Sequence, residues 1–175
     1  MKEIMFISSV LSLLILSCTS DKLDRKTALQ ILQNQKGYPK IIEEEIYTGD
    51  PEDAKRVLNA GLEKLGLVVV QRTQKLENVG EPLISFTDKA KSYLLPASDE
   101  DRNSNVQKVK IAEEVIEEVS LVQMQDDEKK AVVEYKTFYK NITPFSVLSN
   151  LKLNEKNLNK AYFSLYDDGW RLEEK

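Results

Sequence analysis

The side chains able to do chemistry in this chain are carboxylates, lysines, tyrosines and hydroxyls, because it holds no histidine and a single cysteine, Cys18. That removes Ser-His-Asp and Cys-His catalysis, histidine metal sites and histidine pH switching together. Carboxylates cluster at Glu43-Glu44-Glu45, at Glu113, Glu114, Glu117 and Glu118, at Asp126-Asp127-Glu128 and at Asp167-Asp168. A calcium site needs about six oxygens converging from a tight loop, whereas consecutive acids on a strand point to alternate faces. Solvated edges and turns are the favoured reading of these runs. There is no P-loop, no dinucleotide-type glycine pattern and no metal-ligand spacing, so no catalytic residue, cofactor or metal is assigned.

Aromatic side chains offer a second kind of chemistry. Tyr135, Tyr139, Tyr162, Tyr166 and Trp170 fall in the last three expected strands. Together they form a candidate surface for a sugar or a peptide, if the strand register puts them on one face. The competing reading is a core of cross-strand pairs.

Cys18 closes the N-terminal segment. Lys2 gives a charged start, Ile4 to Leu16 is an almost unbroken apolar run, and Ile15-Leu16-Ser17-Cys18 follows. A secretory signal has a positive end, an apolar core of roughly 7–15 residues and a small residue before the cut. The run is too short for a transmembrane helix, which needs about 20 residues. The stretch resembles the lipobox of bacterial lipoproteins, with an aliphatic residue three before the cysteine and a small residue just before it. The resemblance implies a signal peptide over 1–17, a diacylglyceryl group on the Cys18 thiol, cleavage before Cys18, and acylation of the new amino group by a palmitate-type chain. It also explains a lone cysteine in an exported protein. Thr19 resembles residues that permit sorting to the outer membrane of a Gram-negative cell. Residues 18–23 are then a tether, and the membrane is the first partner.

From Cys18 onward about 158 residues remain, a length for one domain or two small ones. Net charge is −4. Residues 24–97 are near neutral, and 98–175 carry the acidic excess. Nucleic-acid binders show a basic patch or a high pI; neither half does, and no nucleic-acid partner is expected.

The elements that must position the candidate groups follow in order. Asp24 caps a helix over Arg25–Gln35 that Gly37 stops. Lys40–Tyr47 reads as a strand. Pro51 opens a second helix, Glu52–Leu65, ended by Gly66. Leu67–Gln74 and Leu83–Thr87 read as strands around a polar loop, and Asp88–Leu95 as a short helix. Within 53–95, Leu65-Gly66-Leu67-Val68, the hairpin, and Ile84-Ser85-Phe86-Thr87-Asp88-Lys89-Ala90 resemble the wing and following helix of winged-helix regulators. That resemblance concerns fold more than function.

Residues 98–105 lack large apolar side chains and read as a linker. Val106–Met124 fits a helix by the spacing of Ile111, Val115, Ile116 and Val119, and a long, bulged strand by its Val/Ile content; strand is chosen. Lys130–Asn141 and Lys160–Tyr166 alternate as strands, and Asp167-Asp168-Gly169 turns into a short last strand. This terminal pattern resembles small exported α+β domains of the cone-shaped or cystatin-like kind, whose open end could hold a ligand.

The expectation is an α+β protein: a winged-helix-like unit over 24–97, then an antiparallel sheet over 106–175. The expected function is non-catalytic, an envelope lipoprotein presenting a binding or assembly surface to a protein or glycan. The alternatives are a carboxylate-dependent envelope hydrolase and, last, a winged-helix DNA-binding regulator.

Overall fold

A computed structural model describes residues 22–79, 81–125 and 128–173. The signal segment, Cys18 and the turn acids Asp126 and Asp127 lie outside the described residues. The fold is α+β. Its frame is a five-stranded, curled antiparallel sheet in the order β1 (Lys40–Tyr47), β4 (Val106–Met124), β5 (Lys130–Lys140), β6 (Asn157–Tyr166) and β7 (Gly169–Leu172). A two-stranded ribbon, β2 (Val68–Val70) with β3 (Ile84–Phe86), is separate from it.

Strand β4 resolves the helix-or-strand ambiguity. It is a strand of 19 residues whose pairing slips at three places: opposite Ile42/Glu43, between Ile116 and Glu118, and between Val119 and Leu121. Each extra residue shifts the inward-facing phase by one. Ile116, Val119, Val122 and Met124 therefore all reach the same core despite uneven spacing. The helix-like periodicity of the sequence is the trace of these bulges.

Helix α1 (Arg25–Lys36) forms as expected: the Asp24 carboxylate accepts from Thr27 N at 2.6 Å, and Gly37 ends the helix at φ +68°. Its buried Ala28 and Leu32 pack with Val133, Tyr135, Ala161 and Phe163. Helix α2 (Pro51–Asn59) is shorter than expected, because Gly61 takes a left-handed conformation and the chain continues in turns. Leu62 still reaches the core, while Leu65 remains half exposed. Strand β2 also covers only part of the expected Leu67–Gln74, and Asp88–Tyr93 is a 3-10 helix. The helix α2, the ribbon and the 3-10 helix Pro144–Leu148 surround a second cluster that includes Ile46, Val57, Val109, Ile111 and Phe145.

The expected linker is not a boundary between two bodies. Residues 98–105 contain a short helix, α3 (Asp99–Asn103), with a capping box between Ser98 and Asp101. More important, β1 is paired along its whole length with β4, and the α2 cluster joins Ile46 and Val57 to Val109 and Phe145. The stretches 24–97 and 106–175 thus share one sheet and both clusters, so the division of the chain at this point is corrected. Thr48, at the end of β1, holds the corner: its carbonyl accepts from Leu83 N and Ile84 N, at 2.7 and 3.0 Å, and its amide donates to Asn105 O at 2.8 Å.

Candidate functional site

A cleft with partly apolar walls lies between the first turns of α1 and the β6–β7 hairpin. Its volume is about 500 Å3, within the range of about 300–1,000 Å3 typical of small-molecule pockets. The Asp24 cap fixes one wall, from which Thr27 and Ile31 face the cleft; Leu165, Tyr166 and Trp170 form the other. The tight turn at Gly169, with φ +120°, brings Trp170 back opposite Leu165. Lys22, Asp24, Asp167 and Asp168 are the charged residues that line the cleft.

Electrostatics at this rim are largely internal. Arg171 pairs with Asp168, and its guanidinium lies 5.2 Å from the centre of the Tyr166 ring. Lys22 is 3.5 Å from Glu128. Hydrogen bonds from the backbone and side chain of Thr27 hold the Asp24 carboxyl below the usual aspartate range. Trp170 packs against the α1 cluster, and its Nε1–H is buried without an acceptor among the described residues.

A second polar group occupies the inner sheet face. Thr137 is fully buried; its hydroxyl donates to Glu114 Oε1 at 2.7 Å and accepts from Asn159 Nδ2 at 3.1 Å. Tyr38 stacks edge-on against Tyr135, with ring centres 6.4 Å apart. Burial, a side-chain hydrogen bond with Tyr135 and the nearby charge of Glu114 all push the Tyr38 phenol above its ordinary range.

The five aromatic candidates do not share one face. Tyr135 is buried at 2% exposure, and Tyr139 packs against the α2 cluster. Tyr162 is paired with Val132, one step out of phase with Tyr135, and so sits on the opposite face of the sheet. Tyr166 is 54% exposed at the end of β6. Of the set, only Tyr166 and Trp170 line a common cleft.

The carboxylate runs are mostly engaged. Glu44 takes a 2.5 Å bond from Arg56, Glu113 faces Lys110 and Asn141, Glu117 pairs with Lys156, and Glu118 pairs with Lys136. Hydrogen bonds from Lys110 and Lys136 hold Glu113 and Glu118 below the usual carboxylate range. Among the described residues, no group of three or more histidine, cysteine, aspartate or glutamate side chains could hold a metal ion.

Participants that the sequence does not single out include Tyr38, Thr137 and Asn159 in the buried group and Thr27, Ile31 and Leu165 in the cleft. Nothing local ties Ile31, on α1, to a hairpin more than a hundred positions away.

The fold and cleft define a class by architecture: an α+β protein whose helices cover one face of a curled five-stranded antiparallel sheet. The chain matches no family model, no curated protein and no solved structure.

Proposed function

We propose that this chain is a lipid-anchored protein of the cell envelope, in the outer membrane of a Gram-negative cell, whose folded part is a non-catalytic binding or assembly module. The observation that carries this is the spacing between the lipobox and the fold. Only Thr19-Ser20-Asp21-Lys22 separate Cys18 from Leu23, which is already buried and is followed at once by the Asp24 cap of α1. A folded body that begins this close to a lipidated residue is held against the membrane surface. Two or more acyl chains make such an anchor stable, since each buried methylene contributes about 0.8 kcal/mol. Among the described residues no helix is long and apolar enough to cross a membrane. The pairing of Glu44, Glu113, Glu117 and Glu118 with cations supports a binding role over acid catalysis.

The test is intact mass and membrane partition of the wild type beside Cys18→Ser in a bacterial host. A lipidated chain starting at Cys18, lost in the variant together with membrane association, is the expected result. An unmodified chain starting at Met1 in the soluble fraction overturns the proposal.

A further inference from the structure

We propose that the cleft between α1 and the β6–β7 hairpin receives an acyl chain carried by Cys18, so that the folded body shelters part of its own anchor when that anchor is out of the bilayer. This rests on the lipoprotein reading and assigns the cleft an occupant.

Three observations converge. The first is reach. Lys22 lines the cleft and lies four positions after Cys18, so even a fully extended chain keeps the Cys18 backbone within about 14 Å of it. The second is the chemistry of the walls. Ile31, Leu165, Tyr166 and Trp170 present aliphatic and aromatic surface from α1, β6 and β7, beside the polar Lys22, Asp24, Thr27, Asp167 and Asp168, and the volume of about 500 Å3 suits a single chain better than a whole lipid. The third is Trp170. It lines the cleft, and its buried indole N–H has no acceptor among the described residues. The N–H is sealed from the open cleft, so the ester carbonyl of a diacylglyceryl group accepts from it only when the indole shifts as the chain enters.

The physical logic is an exchange between two apolar environments. Moving an acyl chain from bilayer to cleft changes little, whereas moving it from water to cleft is strongly favourable. The cleft is therefore filled when the protein is away from a membrane, as in passage between two membranes, and can empty when the chain inserts.

Trp170 is the only tryptophan of the chain, so its emission reports the cleft directly. The non-acylated full chain carrying Cys18→Ser is titrated with stearic acid bearing a nitroxide quencher. Saturable quenching of Trp170 at one molecule per chain is expected. Leu165→Asp, checked for an unchanged circular dichroism spectrum, is expected to weaken it at least tenfold; Ile31→Asp, on the other wall, does the same if the first variant fails to fold. The acylated wild type, its mass verified and its detergent removed, is expected to bind the probe at least fivefold more weakly, because its own chain competes. Absence of saturable quenching in Cys18→Ser overturns the proposal, as does equal binding by the acylated protein. The mass measurement separately reports whether Cys18 is lipidated at all, so a failure of the anchor is distinguished from a failure of the cleft.

Discussion

Thr137 and Glu114 face each other on the inner side of the sheet, joined by a 2.7 Å hydrogen bond from the threonine hydroxyl to the carboxylate. The same hydroxyl accepts from Asn159, so one buried group links β4, β5 and β6 between the two apolar clusters. Thr137→Val keeps the shape and removes both bonds. It leaves a half-buried carboxylate and an amide without this partner, and is expected to cost about 1–3 kcal/mol. Thr137→Ser retains the hydroxyl and should cost less than half as much. Urea denaturation midpoints of the two variants check the order; a Val variant as stable as the Ser variant would remove the hydrogen bonds from the account.

Tyr38 makes the same region sensitive to alkaline pH. Its phenol is raised above the ordinary value of 10.0, chiefly by burial. The folded state therefore keeps the proton where the unfolded state loses it. The associated stability is fully present below pH 10 and declines as the pH rises further toward the raised value. Tyr38→Phe, which has no proton to lose, should show a shallower fall in stability above pH 10 than the wild type. Thermal melts from pH 9 to 11 measure the difference.

Much of the fold could be read from local signals, and what could not is non-local. The Asp24 cap and Gly37 stop gave the limits of α1 to within a residue, and alternation gave β5 and all of β6 but its first three residues, Asn157 to Asn159. The bulges of β4 could not be placed, because a bulge is set by pairing with β1 and β5, not by the residues of β4 alone. The same limit hid the sharing of one sheet across residues 98–105. The face of Tyr162 was likewise a matter of register: a slip of one residue against β5 would have placed it opposite Ala131 or Val133, on the same face as Tyr135. The cleft was half legible. Asp167-Asp168-Gly169 announced the hairpin and Trp170 its aromatic strand, but nothing local showed that α1 would pack beside them.

Asp24 offers a test of the element that sets the cleft wall. Its carboxylate accepts from Thr27 N at 2.6 Å, and Asp24→Ala should cost about 1 kcal/mol. Since hydrogen bonding lowers the Asp24 carboxyl below its ordinary range, the contribution is complete above that range and lost as the pH falls through the lowered value. Wild type and Asp24→Ala should therefore converge in stability on acidification. Asp24→Asn, a good cap without the charge, should keep most of the stability and lose the acid dependence. Chemical denaturation at pH 7 and pH 2.5 separates the three proteins.

Arg56 ties α2 to the sheet edge. It reaches Glu44 Oε1 at 2.5 Å and Glu45 O at 2.9 Å. Its Nε is not aligned for a hydrogen bond, but lies 2.9 Å from Asp53 Oδ1 in an ion pair. About a third of the side chain is exposed, so solvent screens part of the attraction, and Arg56→Met is expected to cost about 1 kcal/mol. Arg56→Lys keeps the charge but not the fork, and should fall between the two. Molar salt should shrink the gap between wild type and Met variant, because screening acts on the pair that the variant lacks; equal gaps at low and high salt would assign the effect to packing of the side chain.

A single sheet spanning both clusters also predicts how the molecule unfolds. Phe145 is fully buried in the α2 cluster, with ring centres 6.2 Å from Phe86 and 6.0 Å from Tyr93, and Phe163 is fully buried in the α1 cluster. Truncating either to alanine should cost about 3–5 kcal/mol, from lost transfer energy and the cavity left behind. Strand β4 contributes Val109 and Ile111 to one cluster and Val119 to the other, so neither cluster can melt without disturbing the strand that carries both. The expected calorimetric trace is one transition, and both variants should move that same transition down. Two transitions, with Phe145→Ala shifting one and Phe163→Ala the other, would instead show that β4 can lose half its partners without losing the rest, and that the clusters behave as separate cooperative units along a common strand.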